Sequence, residues 1–534
     1  METIKYKYSA AAKIIVSALM VLLAFSSCTK KFEEFNTNPY GLSENDLKGD
    51  FRIVGDGFKQ VQQNIYAASP AWLTQLQQNL IGDIYSGYMM APTPFRGNSN
   101  NMNYDLVDGW NGFPWSTAYD NVMAPCKDIQ IKAAKDFTDF YAWAQILKVE
   151  AMHRVSDIYG PIIYTQYGKI NADGSITYDS QEEAYTAFFK DLKESIDTLT
   201  LYANDPVRAA KKQFSKFDLA YGGDYKQWVK FANTLRLRLA IRISKADPAK
   251  AKLEGEAALA HPFGLLAIND DNFNIDIGST THPLNVMNNS WGDIRMGAPM
   301  ESILTGYSDP RLPKYFQQSS VFFPAYKGIR NGIAIADKST YVGFSQLAIF
   351  PSKIQLMTSA EAYFLKAEAA VRGWAGAGAA KDNYEAGITK SIEQYGLGAT
   401  AYLNDAVSKP SPYIDPRNAV NSVNAGDPTL GTATIKWDDA ATNEQMIEKI
   451  ITQKWIAMYP DGQEAWSEFR RTGYPKLFTV VVNNSGGKIS TTGFVRRINF
   501  PASEYSTNPT GVAAAVTKLG GADNGGTRLW WDKQ

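Results

Sequence analysis

The chain has 534 residues, of which 45% are hydrophobic, 20% charged and 13% aromatic, and its 54 Lys+Arg balance 54 Asp+Glu. Ordinary Gly and Pro usage and ample apolar surface exclude a collagen-like or disordered chain. A net charge of zero without a basic block argues against nucleic acid as a partner and against long-range steering of a charged ligand.

The chain opens with Lys5, Lys7 and Lys13, followed by an apolar run from Ile14 to Phe25 broken only by Ser17. That run fits the ~7–15-residue apolar region of a signal peptide and falls short of the ~20 residues of a spanning helix. It ends in Phe25-Ser26-Ser27-Cys28. Small residues before a cysteine resemble a bacterial lipobox, so residues 1–27 read as a lipoprotein signal peptide and Cys28 as the lipidated position. An ordinary secretory signal with an incidental cysteine is the plainer alternative. Cys126 then has no disulfide partner, and burial as a small hydrophobe is expected. No later stretch is long and apolar enough to span a bilayer, which leaves the lipid as the anchor.

The next informative segment interleaves amides with rings: Asn98-Ser99-Asn100-Asn101-Met102-Asn103-Tyr104-Asp105, then Trp110-Asn111-Gly112-Phe113-Pro114-Trp115. Helical spacing predicts a helix over 140–155, with Trp143, Leu147 and Ala151 near one stripe, and another over 224–244, burying Trp228, Phe231, Leu235, Leu239 and Ile243. Residues 269–341 show no sustained period, and long irregular stretches in compact proteins are usually functional. Within them lies a second ring-and-amide cluster, Asn288-Asn289-Ser290-Trp291-Gly292-Asp293-Ile294-Arg295.

Thr358-Ser359-Ala360-Glu361 reads as a capping box opening a helix with Phe364, Ala367, Val371 and Trp374 on one face. A helix from about Asn383 to Tyr395 follows, stopped at Gly396, and the two resemble one tetratricopeptide-type hairpin. Thr442-Asn443-Glu444-Gln445 is a second capping box, opening a helix with Ile447, Ile450, Ile451 and Trp455 that Pro460 and Gly462 should break. A further helix through Trp466 and Phe469 ends at Gly473. The expected fold class is mostly α.

Catalytic and metal signals are sparse. The three histidines, His153, His261 and His282, form no zinc motif, and His153 on its helix reads as structural. There is no nucleophile elbow or phosphate loop. Gly376-Ala377-Gly378 is a linker between helices, and Asp270-Asp271-Asn272 starts like a calcium loop but has Ile275 where the turn needs Gly. No cofactor or metal is expected.

The ring-and-amide clusters carry the functional reading. Sugars have apolar C–H faces and polar edges, so aromatic platforms bury the face while amides and charges bind the hydroxyls. Trp110, Phe113 and Trp291 are the candidate platforms, with Asn100, Asp293 and Arg295 as polar contacts. Tyr85, Tyr88 and Phe95 are lesser candidates. The same chemistry suits an extended peptide, and the rings could equally pin loops to the core.

Ordered motifs then match a family. The lipobox followed by Phe35-Asn36-Thr37-Asn38-Pro39, then His153-Arg154-Val155-Ser156-Asp157-Ile158-Tyr159-Gly160-Pro161, Tyr221-Gly222-Gly223-Asp224, Asp309-Pro310-Arg311-Leu312, Glu464 to Pro475, Pro501 to Asn508 and Thr527 to Asp532 together resemble the SusD/RagB-type nutrient-binding lipoproteins of Bacteroidetes. The resemblance implies that residues 28–534 form a single SusD-like domain, with a tetratricopeptide-like helical scaffold and irregular binding loops. It implies a lipid-anchored protein at the outer-membrane surface. Such a protein captures an oligosaccharide, or in RagB-like members a peptide, for a SusC-like TonB-dependent transporter, without catalysis. A surface glycosidase is the lower-ranked alternative.

Overall fold

A computed structural model describes Ile15 and residues 48–533. Apart from Ile15, the signal peptide, Cys28 and the motif at residues 35–39 lie outside them. The chain divides into two units, Met1–Ile53 and Val54–Gln534. Of the first, only Ile15 and residues 48–53 are among the described residues; the second holds every element named below.

The second unit is built on long helices: α1 (Thr138–Tyr159), α2 (Gln181–Asn204), α3 (Tyr225–Arg242), α4 (Pro248–Leu259), α5 (Ala298–Gly306), α6 (Ser359–Val371), α7 (Ala380–Glu393), α8 (Asn443–Met458) and α9 (Gly462–Thr472). Consecutive helices pack as pairs, α1 with α2, α3 with α4, α6 with α7 and α8 with α9. Contacts of α2 with α3, α3 with α6 and α6 with α8 join the pairs into a tetratricopeptide-like stack. The single hairpin read from the sequence is thus one of a series.

Local chemistry explains most boundaries. Thr442 and Gln445 form the expected reciprocal capping box, and Gly473 closes α9 in the left-handed region at φ 81°. α2, which hydropathy reading missed, opens on a capping box of Ser180 and Glu183 and buries Ala184, Phe188, Leu192, Ile196 and Leu199 at helical spacing. Each such Leu, Ile or Phe contributes about 1.5–3 kcal/mol.

One expectation needs correction. Thr358 caps α6 through the Glu361 N–H at 3.1 Å, but the Glu361 carboxylate turns to Arg238 instead of completing the box. The expected break at Pro460 and Gly462 is present, since α8 stops at Met458, and Gly462 then opens α9. A Cβ there would lie 2.4 Å from the Asp83 Cα, and one at Gly82 would lie 2.7 Å from the Gln463 N. The glycines let α9 press backbone to backbone on the π-helical segment Gln75–Asp83.

The helices meet at a buried ionic hub. Arg238 of α3 binds Glu361 of α6 at 2.6 and 2.8 Å and donates to the Leu356 carbonyl at 3.0 Å. Arg471 of α9 grips Glu368 of α6 at 2.6 and 2.7 Å and Glu468 at 2.6 Å. Arg154 of α1 binds Asp461 at 2.8 and 2.9 Å. Arg242 pairs with Glu464, and Lys454 of α8 lies 3.3 Å from Glu468. Several of these groups have no exposed surface, and removing one partner of such a pair costs far more than the intact pair contributes. His153 is fully buried here with Nδ1 3.1 Å from the Val149 carbonyl, and burial among arginines holds its pKa well below the usual range.

Two short antiparallel pairings complete the frame. β1 (Met89–Met90) pairs with β3 (Arg295–Met296), and β2 (Phe273–Asp276) with β4 (Lys353–Met357). The first sets Met89 opposite Met296 and so joins the two ring-and-amide segments.

Candidate functional site

Rings from separate segments pair at the surface, and together with Trp291 they are the candidate ridge. Trp72 opens a helical turn after Pro70 and is 48% exposed. It meets Phe113 edge to face, with ring centroids 5.6 Å apart. Phe95 meets Trp110 likewise at 5.8 Å and 85°. Phe95, Trp110, Phe113 and Trp291 are each partly exposed. Edge-to-face pairing holds each ring against its partner while leaving other ring surface to solvent.

The second cluster is tied to the first through polar contacts. Thr93 Oγ1 donates to Asp293 at 2.6 Å, and Lys338 Nζ donates to Asp293 at 2.8 Å and to the Trp291 carbonyl at 2.7 Å. Trp291 ends a π-helical turn, Val286–Trp291, and π-helical segments recur at functional sites.

Beside Phe95 the backbone is strained: Arg96, Gly97 and Asn98 have φ of 51°, 62° and 67°. Two non-glycine residues held in that region within one turn need external support. Asn98 supplies it, exchanging two hydrogen bonds of 3.0 Å with the Ile335 backbone, and Asn484 donates to the Asn98 carbonyl at 2.9 Å. The exposed Arg96 guanidinium donates through Nε to the Ser99 carbonyl at 3.2 Å.

The remaining sequence candidates fall beneath this surface. Asn100 is fully buried; its side chain accepts from the Met102 N–H at 2.9 Å and donates to the Phe95 carbonyl at 2.7 Å. Arg295 is 2% exposed, and its Nε and Nη1 serve the carbonyls of Val342, Asn288 and Ile294. Desolvation pushes its pKa down to about 10. Their burial corrects the reading of both as ligand contacts: Asn100 spends both polar side-chain atoms on backbone, and Arg295 spends its Nε and Nη1 there. Tyr85 packs on Trp466 and Tyr88 on Trp455, both inside the core. Asp293 stays partly exposed but already carries two partners. Trp72 was missed by sequence reasoning, although a Trp directly after Ser-Pro-Ala in a polar stretch is the signal that could have marked it.

Chemically the ridge offers ring faces, amides and single charges. Among the described residues no group of three or more His, Cys, Asp or Glu side chains is placed to hold a metal. The calcium-like segment is a capped turn, with Asp271 accepting from the Ala267 N–H at 2.8 Å and from Lys230 at 3.2 Å. Cys126 is buried, and burial pushes its thiol up to about 12. Among the described residues no helix is long and apolar enough to cross a membrane.

Comparison with known proteins bears on the whole chain. A family model described as SusD-like, "Susd and RagB outer membrane lipoprotein", matches residues 34–532. Among solved structures, a chitin-binding SusD homologue from Flavobacterium johnsoniae is 49% identical with a TM-score of 0.87, over 90% of this chain and 99% of that one. A SusD homologue from Bacteroides vulgatus is 37% identical (TM-score 0.85, covering 91% and 99%). A SusD-like protein from Bacteroides thetaiotaomicron is 31% identical (TM-score 0.83, covering 90% and 99%). The chain matches no curated protein sequence.

Proposed function

This chain belongs to the SusD-like family of outer-membrane lipoproteins, and on that premise we propose that it captures oligosaccharides built of N-acetylglucosamine on the ridge of Trp72, Phe95, Trp110, Phe113 and Trp291. It binds them unchanged and passes them to a SusC-like TonB-dependent transporter, moored at the cell surface by a lipid on Cys28 after residues 1–27 are removed. Residues 28–534 act as one domain.

The observation that carries this reading is the ring surface itself. Folding normally buries such rings, as it does Trp143, Trp228, Trp455, Trp466 and Trp531, yet Trp72 keeps half its surface in water. Stacking a sugar face on an exposed ring recovers about 1–3 kcal/mol per large ring, so several platforms in series suit an oligomer better than a monosaccharide. The acetylated-sugar class is supported by the chitin-binding relative at 49% identity.

Calorimetry against N-acetylglucosamine oligomers of increasing length tests the proposal. Affinity that rises with length, without release of shorter products, supports it. Binding of peptides and of no glycan would replace it with the RagB-like reading, and turnover abolished by one carboxylate substitution would make the protein a glycosidase.

A further inference from the structure

Beyond the ridge lies a cleft of about 710 Å³, within the range of small-ligand sites. The short helix Phe113–Ala118 borders both: Phe113 stands on the ridge, while Trp115 and Ser116 line the cleft. Its other walls come from Tyr119 to Ile131, the turn around Tyr167 and the helix carrying Glu504.

A column of rings runs from the interior to its surface. Trp115 and Tyr119 lie 4.7 Å apart, and Tyr119 and Tyr167 lie 5.8 Å apart with planes 30° from parallel. Trp115 and Tyr119 are buried, whereas Tyr167 is partly exposed. Tyr119 is fixed by donating to the Ile163 carbonyl at 3.0 Å and accepting from the Ile163 N–H at 2.8 Å. The outermost ring is therefore a backed, pre-set platform. Ile131 and Ile170, 69% and 72% exposed, line the same cleft as unused apolar surface.

The charge of the cleft is one-sided. Asp120, Asp128 and Glu504 line it, against the single cation Lys127. Lys127 is already engaged, donating to the Tyr167 carbonyl at 3.3 Å and sitting 5.6 Å from that ring's centroid. Asp128 pairs with Lys132 at 2.6 Å, and Glu504 accepts from the Tyr178 hydroxyl. Asp120 is exposed, and no hydrogen bond or ion pair engages it among the described residues. Its charge reaches the Tyr167 hydroxyl, whose pKa is raised by burial and by Asp120. A backed ring and an unpaired carboxylate lining one cleft suit a ligand that has an apolar face and a positive charge on its edge.

We propose that this cleft is a second carbohydrate site, distinct from the ridge, which binds sugars bearing a free ammonium group (glucosamine units), with the ring face on Tyr167 and the ammonium on Asp120. The sugar class rests on the glycan reading above; the cleft and its cationic preference do not.

The test titrates a fully deacetylated glucosamine tetramer and its N-acetylated counterpart into the wild-type protein. The same ligands go into a ridge triple variant (Trp72→Ala, Trp110→Ala, Trp291→Ala) and into Asp120→Asn and Tyr167→Ala, with melting temperatures confirming folding. The glucosamine tetramer should bind wild type and ridge variant alike, weaken with added salt, and lose about tenfold on Asp120→Asn. The acetylated tetramer should be indifferent to Asp120→Asn. Failure of the acetylated tetramer alone would overturn the ridge proposal and leave this one standing. Loss of glucosamine binding in the ridge variant, no effect of Asp120→Asn, or displacement of the tetramer by a tighter-binding Lys-Ile peptide would overturn the cleft proposal.

Discussion

In the helical stack, Trp466 is fully buried, donates to the Val495 carbonyl at 3.1 Å and lies 3.5 Å beneath the Arg470 guanidinium. On the loop surface, Trp72 pairs edge to face with Phe113 and is 48% exposed. The two regions also treat charge differently. In the hub, Arg238, Arg242 and Arg471 have no exposed surface and are matched to carboxylates on other helices; at the ridge, Arg96 is exposed on a strained turn. Residue type alone therefore does not separate scaffold from site. The difference is whether a neighbour has already satisfied the ring or the charge.

The largest change should come from the scaffold. Trp466→Ala or Arg471→Ala should each destabilise by about 3–5 kcal/mol, the first by opening a cavity and the second by taking the bridging cation from the buried Glu368 and Glu468, which keep only Arg372 and the more distant Lys454 and Arg242. Chemical denaturation measures both. If either variant kept its stability while losing ligand, the separation of the two regions would fail. Next come the ridge rings. Trp110→Ala or Trp291→Ala should cost about 1–3 kcal/mol of binding with the melting temperature nearly unchanged, as calorimetry and thermal unfolding would show. A large stability loss would place these rings with the core.

Asn98→Ala probes the border between scaffold and ridge. It removes the two hydrogen bonds to Ile335 and the residue type that tolerates φ of 67°, so stability should fall by about 1–2 kcal/mol and affinity several-fold as the turn loosens. A last probe is a change of slope. Asp83 is buried with amide donors Gln78 and Asn79 at 3.2 and 3.1 Å, and desolvation pushes its pKa up to about 7. The native state thus holds its proton more tightly than the unfolded chain. The resulting stability is present below the ordinary carboxylate range and is lost as pH rises through about 7. Asp83→Asn should flatten that part of the pH–stability curve.

The helices were legible where one apolar face met a capping signal, as at Thr442 and Asp224. One hairpin, α6 with α7, was also legible, but the joining of the pairs was not, because Arg238, Arg242 and Glu361 look like surface charges in sequence and become matched only when distant segments meet. The site divided in the same way. Trp110, Phe113 and Trp291 could be picked out as rings among amides, but Asn100 and Arg295 could not be sorted from them. The backbone carbonyls that consume their hydrogen bonds come from the turn at Phe95 and from Val342.

An open ring surface that holds a glycan without altering it has two signatures, affinity that depends on the rings and a ligand recovered whole. Calorimetry of an N-acetylglucosamine hexamer against wild type and the Trp72→Ala, Trp110→Ala, Trp291→Ala variant, with chromatography of the recovered sugar, reads both. Wild type should bind clearly, and the variant should lose at least about a hundredfold in affinity, with melting unchanged and the hexamer intact throughout. Equal binding by both proteins, or recovery of shortened sugar, would refute such a surface.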